Sequence, residues 1–355
     1  MALGMALVPR LAAIATSVPS YVLEQDDVVQ RVRAIFKGEA LVQRLLPVFE
    51  NSGIRRRYSC VPVEWYYEPH DWKDRNAVYL DCAVPLLERA ASDVLERAGA
   101  RVDDVAAIVA VSTTGVATPS LDALLVERMG FPRTVRRLPI FGLGCAGGAL
   151  GLARAASVAR DMPGKSVLFL VVELCTLSFR REEVTKSNVV ANALFGDGAA
   201  AALLSTQARG PAIVASGEHL FEDSLDVMGW DVAADGLRAI FSRDIPALVA
   251  TRFRGVLDAY LAEQDLTMQD VDHVIPHPGG VKVLDALERA FGLAPGALDD
   301  SRAVLREYGN MSAATVLFVL ERALSHGALR GDDWNRALVT AMGPGFTAGF
   351  VTLER

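Results

Sequence analysis

The chain has 355 residues, 51% hydrophobic and 22% charged, with 36 Lys and Arg against 43 Asp and Glu. A chain of this make-up buries a large core, is not disordered, and at a net charge of -7 has no basic excess to hold nucleic-acid phosphates. Four unclustered cysteines with no Cys-x-x-Cys pair exclude a zinc ribbon and a disulfide scaffold.

Met1–Ser17 is apolar but interrupted by Arg10, where a signal peptide needs an unbroken apolar core. It reads as the first strand of a soluble, cytoplasmic protein. No stretch reaches the roughly 18–20 apolar residues of a membrane span. A helix is predicted over Ala83–Ala98, a strand buried on both faces over Ala106–Val111, and helices over Ser120–Met129 and Ala149–Ala159. Strands follow at Ser166–Val172, Ala199–Leu204 and Ala212–Ser216, then a helical stretch over Pro246–Glu263. The strand His273–Ile275, the helices Val281–Phe291 and Ala313–Leu324 and the strand Ala337–Thr340 complete a layered α/β pattern.

The pattern repeats. Asp104-Val105, a strand, a small-residue turn and a helix with Leu121-Asp-Ala-Leu124 are echoed by Asp270-Val271, a strand, a turn and Leu284-Asp-Ala-Leu287. Cys145 and Asn310 then stand at matching distances before two further helices. This favours two pseudo-equivalent halves, residues 1–207 and 208–355, divided near Ser205–Pro211.

Cys145 lies in Phe141-Gly-Leu-Gly-Cys-Ala-Gly-Gly148, between an apolar run and a helix. Free N–H groups and the helix dipole at such a start favour a thiolate, so the thiol is expected below its ordinary value and able to act as a nucleophile. Most cysteines are small packing residues, and Cys60 and Cys82 fit that description. His277, in Ile275-Pro-His-Pro-Gly-Gly280, follows a strand and is a candidate partner for a thiolate–imidazolium pair. Asn310, in Tyr308-Gly-Asn-Met-Ser312, is either a helix cap or the amide donor of the same site. A thiol, an imidazole and a carboxamide together suit a condensing site that stabilises an enolate.

Five segments carry a resemblance: Gly-Leu-Gly-Cys145-Ala-Gly-Gly, Ala193-Leu-Phe-Gly-Asp-Gly-Ala199, Pro276-His277-Pro-Gly-Gly, Gly309-Asn310-Met-Ser-Ala-Ala-Thr and Met342-Gly-Pro-Gly-Phe346. In this order they resemble the signatures of type III polyketide synthases, the chalcone-synthase-like branch of the thiolase superfamily. The resemblance implies a five-layered αβαβα fold, a homodimer, and acyl-CoA and malonyl-CoA as substrates, with no metal or organic cofactor. It implies Cys145 as the acyl-accepting nucleophile, with His277 and Asn310 assisting decarboxylation. Phe195 resembles a gatekeeper between CoA tunnel and cavity, and Thr113, Thr118, Cys175, Ser178 and Ser312 fall at cavity-lining positions. The second gatekeeper aligns with Ala239, which implies a wider mouth. Of the basic CoA positions only Arg44 is retained, with Arg55, Arg56, Arg57 and Lys282 as substitutes, or the arginine run as an ordinary solvated face. Segments such as Leu225-Asp-Val-Met-Gly-Trp-Asp231 resemble bacterial members that use long acyl starters and make alkylresorcinols or alkylpyrones. Alternatives are a single-condensation carrier-protein synthase, or a malonyl-derived phloroglucinol or naphthalene product.

Overall fold

The computed structural model describes residues 7–327, 329–330 and 334–355. In chain order the first half comprises β1 (Arg10–Ser17), β2 (Tyr21–Glu24), α1 (Gln25–Ile35), α2 (Ala40–Leu45), α3 (Pro47–Glu50), β3 (Arg56–Ser59) and α4 (Trp72–Ala98). It continues through β4 (Val105–Val111), α5 (Leu121–Met129), β5 (Arg136–Ile140), α6 (Gly147–Asp161), β6 (Ser166–Leu174), α7 (Lys186–Leu194) and β7 (Asp197–Ser205). The second half begins with β8 (Ala212–Leu220), the hairpin β9 (Met228–Ala233) and β10 (Gly236–Phe241), then α8 (Ile245–Leu248), a π turn and α9 (Arg254–Ala262). β11 (His273–Pro276), α10 (Val281–Phe291), α11 (Asp299–Tyr308), α12 (Thr315–Ser325), β12 (Arg336–Gly343) and β13 (Thr347–Glu354) complete it.

Nine of the strands form one sheet in the order β11-β12-β13-β8-β1-β7-β6-β4-β5, while β2 pairs with β3 and β9 with β10. The runs β8-β13-β12-β11 and β1-β7-β6-β4 match strand for strand, and the halves meet at a single β1–β8 pairing, Arg10 with Ala212. The period of two along each strand sorts side chains into layers. Ala107, Val109 and Val111 of β4 face the same core as α6 and α12, while Ile108 and Ala110 face α4. In the other half Ala337, Val339 and Ala341 of β12 face that same central layer, and Leu338 and Met342 face α9 and α10. Outer helices α4 and α5, a half-sheet, the central pair α6 and α12, the second half-sheet, and α9 with α10 are the five layers of an αβαβα thiolase fold in two pseudo-equivalent halves.

Every strand and helix read from the sequence is present, most with shifted ends and α10 with its ends unchanged. α4 starts at Trp72 rather than Ala83; the polar run Lys73-Asp-Arg-Asn76 masks the start, although Tyr79 is already buried, and Asp71 caps the helix by accepting a hydrogen bond from the Asp74 N–H at 2.9 Å. The first strand covers only the last part of the predicted segment, whose residues 1–6 lie outside the described ones. The edge strand β5, the β9–β10 hairpin and β13 carry no signal strong enough to have been read. No helix among the described residues is long and apolar enough to cross a membrane.

The starts of α6 and α12 abut at the centre of the molecule. A Cβ on Gly148 would lie 2.3 Å from the Ala313 carbonyl oxygen and 2.4 Å from a Val316 methyl, so only glycine permits this approach. Gly148→Ala should therefore lower unfolding free energy by about 1–3 kcal/mol, the usual cost of overpacking a tight core. Urea unfolding checks this; a variant as stable as the parent would show that the contact can relax without strain.

Candidate active site

Cys145 sits at the middle of a 3₁₀ turn, Gly144–Ala146, that leads directly into α6. The turn is bent by Gly144, whose φ of +46° lies in the left-handed region and whose missing Cβ leaves room for Pro344, 2.6 Å from where that carbon would be. Its N–H donates to Thr113 Oγ1 at 3.2 Å. The Met342-Gly-Pro-Gly-Phe346 loop thus walls one side of the cysteine turn, and the loop after β4 anchors the other.

The opposing helix start supplies Asn310. The 3₁₀ turn Ser312–Ala314 precedes α12 as Gly144–Ala146 precedes α6, so the second-half counterpart of Cys145 is Ala313, and Asn310 stands three residues earlier than the sequence repeat placed it. The asparagine reaches the cysteine nonetheless. The Cys145 thiol approaches Asn310 Oδ1 at 3.9 Å, and the Ser312 N–H, on a residue with φ +47°, donates to the same oxygen at 2.8 Å. That second bond fixes which way the amide points. Nδ2 is then left to donate to the Gly279 carbonyl at a long 3.4 Å, two residues beyond His277. On the backbone, Asn310 N–H donates to Leu194 O at 2.8 Å and Gly196 N–H to Asn310 O at 3.0 Å, tying the amide to the Phe195 loop. His277 leaves the end of β11 with its ring buried and neither ring nitrogen hydrogen-bonded.

Burial sets the protonation of this group. It pushes the Cys145 thiol up to about 12, with the Glu173 charge adding to the effect and hydrogen bonds from Ser312 and Asn310 opposing it. It pushes His277 down to about 3. Both directions oppose the expectation from the helix start: burial favours the thiol and the neutral imidazole over thiolate and imidazolium. One helix terminus does not offset loss of water around the sulfur.

Glu173, not singled out from the sequence, lies at the end of β6, fully buried. Its Oε2 accepts the Thr113 N–H at 3.0 Å and the Thr114 hydroxyl at 2.9 Å, while Oε1 has no partner. Burial raises its carboxyl to about 8. The signal was present as a single charged residue closing an otherwise apolar strand, Ser166–Leu174.

Beside this centre lies a cavity of about 60 Å³ whose walls include Val28, Val32, Val63, Phe179, Ala191 and Phe195, with Cys175 and Ser178 on one side. The Ser178 hydroxyl donates to the Cys175 carbonyl at 2.7 Å. Ala239 is buried in a small cluster with Cys175, Ala191 and Phe195. Aromatic bulk comes from its neighbours: the rings of Phe241 and Trp230 lie 5.5 and 5.8 Å from that of Phe195, so the alanine alone does not leave the mouth bare. Thr118 is exposed.

The cationic candidates are dispersed. Arg44 on α2 and Lys282 on α10 are exposed and make no hydrogen bond or ion pair among the described residues. Arg55 is clasped by both carboxylate oxygens of Glu307, which Arg56 and Arg306 also approach. Arg57 is no part of a solvated face: it is 2% exposed, and its Nη1 donates to the Phe195 carbonyl at 2.6 Å.

Because Glu173 holds a proton in the folded chain that the unfolded chain releases, stability should fall as pH rises from 4.5 to about 8. The slope is at most about 1.4 kcal/mol per pH unit. Glu173→Gln should remove that part of the pH dependence in urea unfolding; parallel curves for parent and variant would mean the carboxyl is ionised throughout.

Two family profiles account for nearly the whole chain. One, described as chalcone and stilbene synthases, N-terminal domain, matches residues 2–208, and its C-terminal counterpart matches residues 212–354. A 1,3,6,8-tetrahydroxynaphthalene synthase from Streptomyces peucetius is 38% identical over 354 residues, covering 97% of this chain and 92% of that protein. A 3,5-dihydroxyphenylacetyl-CoA synthase from Amycolatopsis balhimycina is 31% identical, with 99% and 94% covered. The solved structure of the 1,3,6,8-tetrahydroxynaphthalene synthase from Streptomyces coelicolor superposes with a TM-score of 0.92 at 30% identity, covering 97% of this chain and 99% of that one. On the joined evidence of fold, facing helix starts and both matched profiles, the chain belongs to the chalcone and stilbene synthase family and is a type III polyketide synthase, a condensing acyltransferase.

Proposed function

We propose that the enzyme loads an aliphatic acyl group from acyl-CoA onto Cys145, extends it with malonyl-CoA and releases a cyclised alkylresorcinol or alkylpyrone. The observation that carries the starter class is the largely aliphatic and aromatic lining of the cavity beside Phe195 and Cys175. Such a wall favours a chain by about 0.8 kcal/mol per methylene buried.

In loading, His277 takes the Cys145 proton as the sulfur attacks the acyl carbonyl; the new carbon–sulfur bond forms and the CoA thiolate leaves with that proton. N–H groups at the start of α6 face the developing oxyanion. In extension, the carbon–carbon bond to the malonyl carboxylate breaks and CO2 departs. The electron pair is held as an enolate by the His277 ring N–H and by Asn310 Nδ2, whose long bond to Gly279 is readily exchanged for a ligand oxygen. The enolate carbon attacks the acyl thioester and frees the cysteine sulfur. The neutral imidazole suits both roles, since it accepts a proton on one nitrogen while presenting one on the other. Arg44, Arg55 and Lys282 are the proposed cations for CoA phosphates, with Arg55 shared with Glu307.

A homodimer fits the open edge of the sheet. Among the described residues β5 has no second strand partner, and Phe141 beside it is 60% exposed. Exposed Thr118 on the neighbouring loop would then face a second copy rather than its own cavity. The second reading is a malonyl-primed naphthalene or phloroglucinol-type product, favoured by the tetrahydroxynaphthalene synthase relatives.

Acyl-CoA starters of increasing length, each with malonyl-CoA, distinguish the two by product mass. The first reading predicts alkyl products whose kcat/KM rises about fourfold per added methylene until the cavity is full; malonyl-only products with every starter would favour the second. Intact-mass measurement should detect one acyl adduct on the parent and none on Cys145→Ala. An adduct persisting in the variant would remove Cys145 from the nucleophile's role.

A further inference from the structure

The cavity beside Phe195 has two ends of different construction. Arg57, Cys175 and Phe195, all buried, line the inner end, while Val28, Arg31 and Tyr67, all half-exposed, line the outer end. α1 and the 3₁₀ turn Val63–Tyr67 form opposite walls there. One bond joins them: Arg31 Nη1 donates to the Tyr67 hydroxyl at 2.6 Å, between residues 36 positions apart. Among the described residues neither the Arg31 guanidinium nor the Tyr67 hydroxyl has another hydrogen-bond or ion-pair partner. The bond therefore serves no wider network. It spans the mouth of the cavity.

We propose that the Arg31–Tyr67 bridge closes the outer end of the acyl cavity and sets the longest starter chain the enzyme accepts. The proposal rests on the reading of this cavity as the starter's. An alkyl end that stops short of the bridge meets only apolar side chains. One that reaches it must part a charge-assisted hydrogen bond and strip water from a guanidinium, and a methyl group offers neither donor nor acceptor in return. Chain length is thus limited by an electrostatic closure rather than by a wall of packed side chains, and a single oxygen atom carries half of it.

The full chain is assayed with saturated acyl-CoA starters from four to eighteen carbons and malonyl-CoA, with products resolved by mass. Tyr67→Phe keeps the ring and removes only the acceptor; Arg31→Ala removes the donor; Arg31→Lys retains a donor. Tyr67→Phe and Arg31→Ala should each extend the cut-off by two carbons or more. At the first length the parent refuses, kcat/KM should rise about fifteenfold, in line with two newly buried methylenes. Short starters should stay within twofold of the parent, and Arg31→Lys should keep the parent's cut-off. An unchanged cut-off in both bridge-breaking variants would overturn the proposal. So would an equal change at every length, which points to CoA binding instead. If the parent converts no acyl-CoA of any length yet makes product from malonyl-CoA alone, the starter reading itself fails and the proposal falls with it.

Discussion

The approach of two helix starts at the centre of the molecule governs nearly everything else. α6 and α12 come from topologically matching places in the two halves, and Gly148 lets the first pass against the Ala313 carbonyl at a distance no side chain would permit. That contact fixes the spacing between the cysteine turn and the asparagine turn, and so brings Cys145 and Asn310 together across 165 positions of sequence. The surrounding loops are fastened to the same point. The Pro344 loop presses on Gly144, Thr113 holds the Gly144 N–H, and the Phe195 segment is bonded on both sides of Asn310.

A site built this way is largely shielded from water, although Cys145 itself is only half-buried, and that shielding decides its electrical state. Thiol, imidazole and the Glu173 carboxyl are all displaced toward their neutral forms, so the resting centre carries little charge. Neutrality suits the chemistry. An enolate formed by loss of CO2 needs hydrogen-bond donors aimed at its oxygen, and an imidazole that remains unprotonated can accept the cysteine proton when acyl-CoA arrives. Under the proposed mechanism the ring of His277, without a hydrogen-bond partner among the described residues, is a polar group available to the substrate.

The central strands were legible because β4, β6 and β7 are buried on both faces and spell continuous apolar runs; α10 was legible to the residue because its two faces differ so sharply in polarity. Cys145, His277 and Asn310 were singled out from glycine-rich turns at the ends of such elements. Features that depend on what a distant segment covers were not legible. Local sequence gave Cys145 a helix start, which argues for a low pKa, and only the assembled fold supplies the desolvation that reverses it. Arg57 read either as a cation for CoA phosphate or as one of three solvated arginines, yet its place between the Phe195 carbonyl and Gly309 lies in the interior. β5 was missed because an exposed edge strand has no apolar alternation to detect.

The central claim is that His277 and Asn310 act on the malonyl group as one unit while Cys145 serves only acyl transfer. Release of labelled CO2 from carboxyl-labelled malonyl-CoA, measured beside a thermal melt, separates the two roles. The account predicts that Cys145→Ala keeps releasing CO2 without forming condensation product, whereas His277→Ala and Asn310→Ala, folded as the parent, lose release by about 10²-fold or more. Release that survives in both of those variants would contradict it.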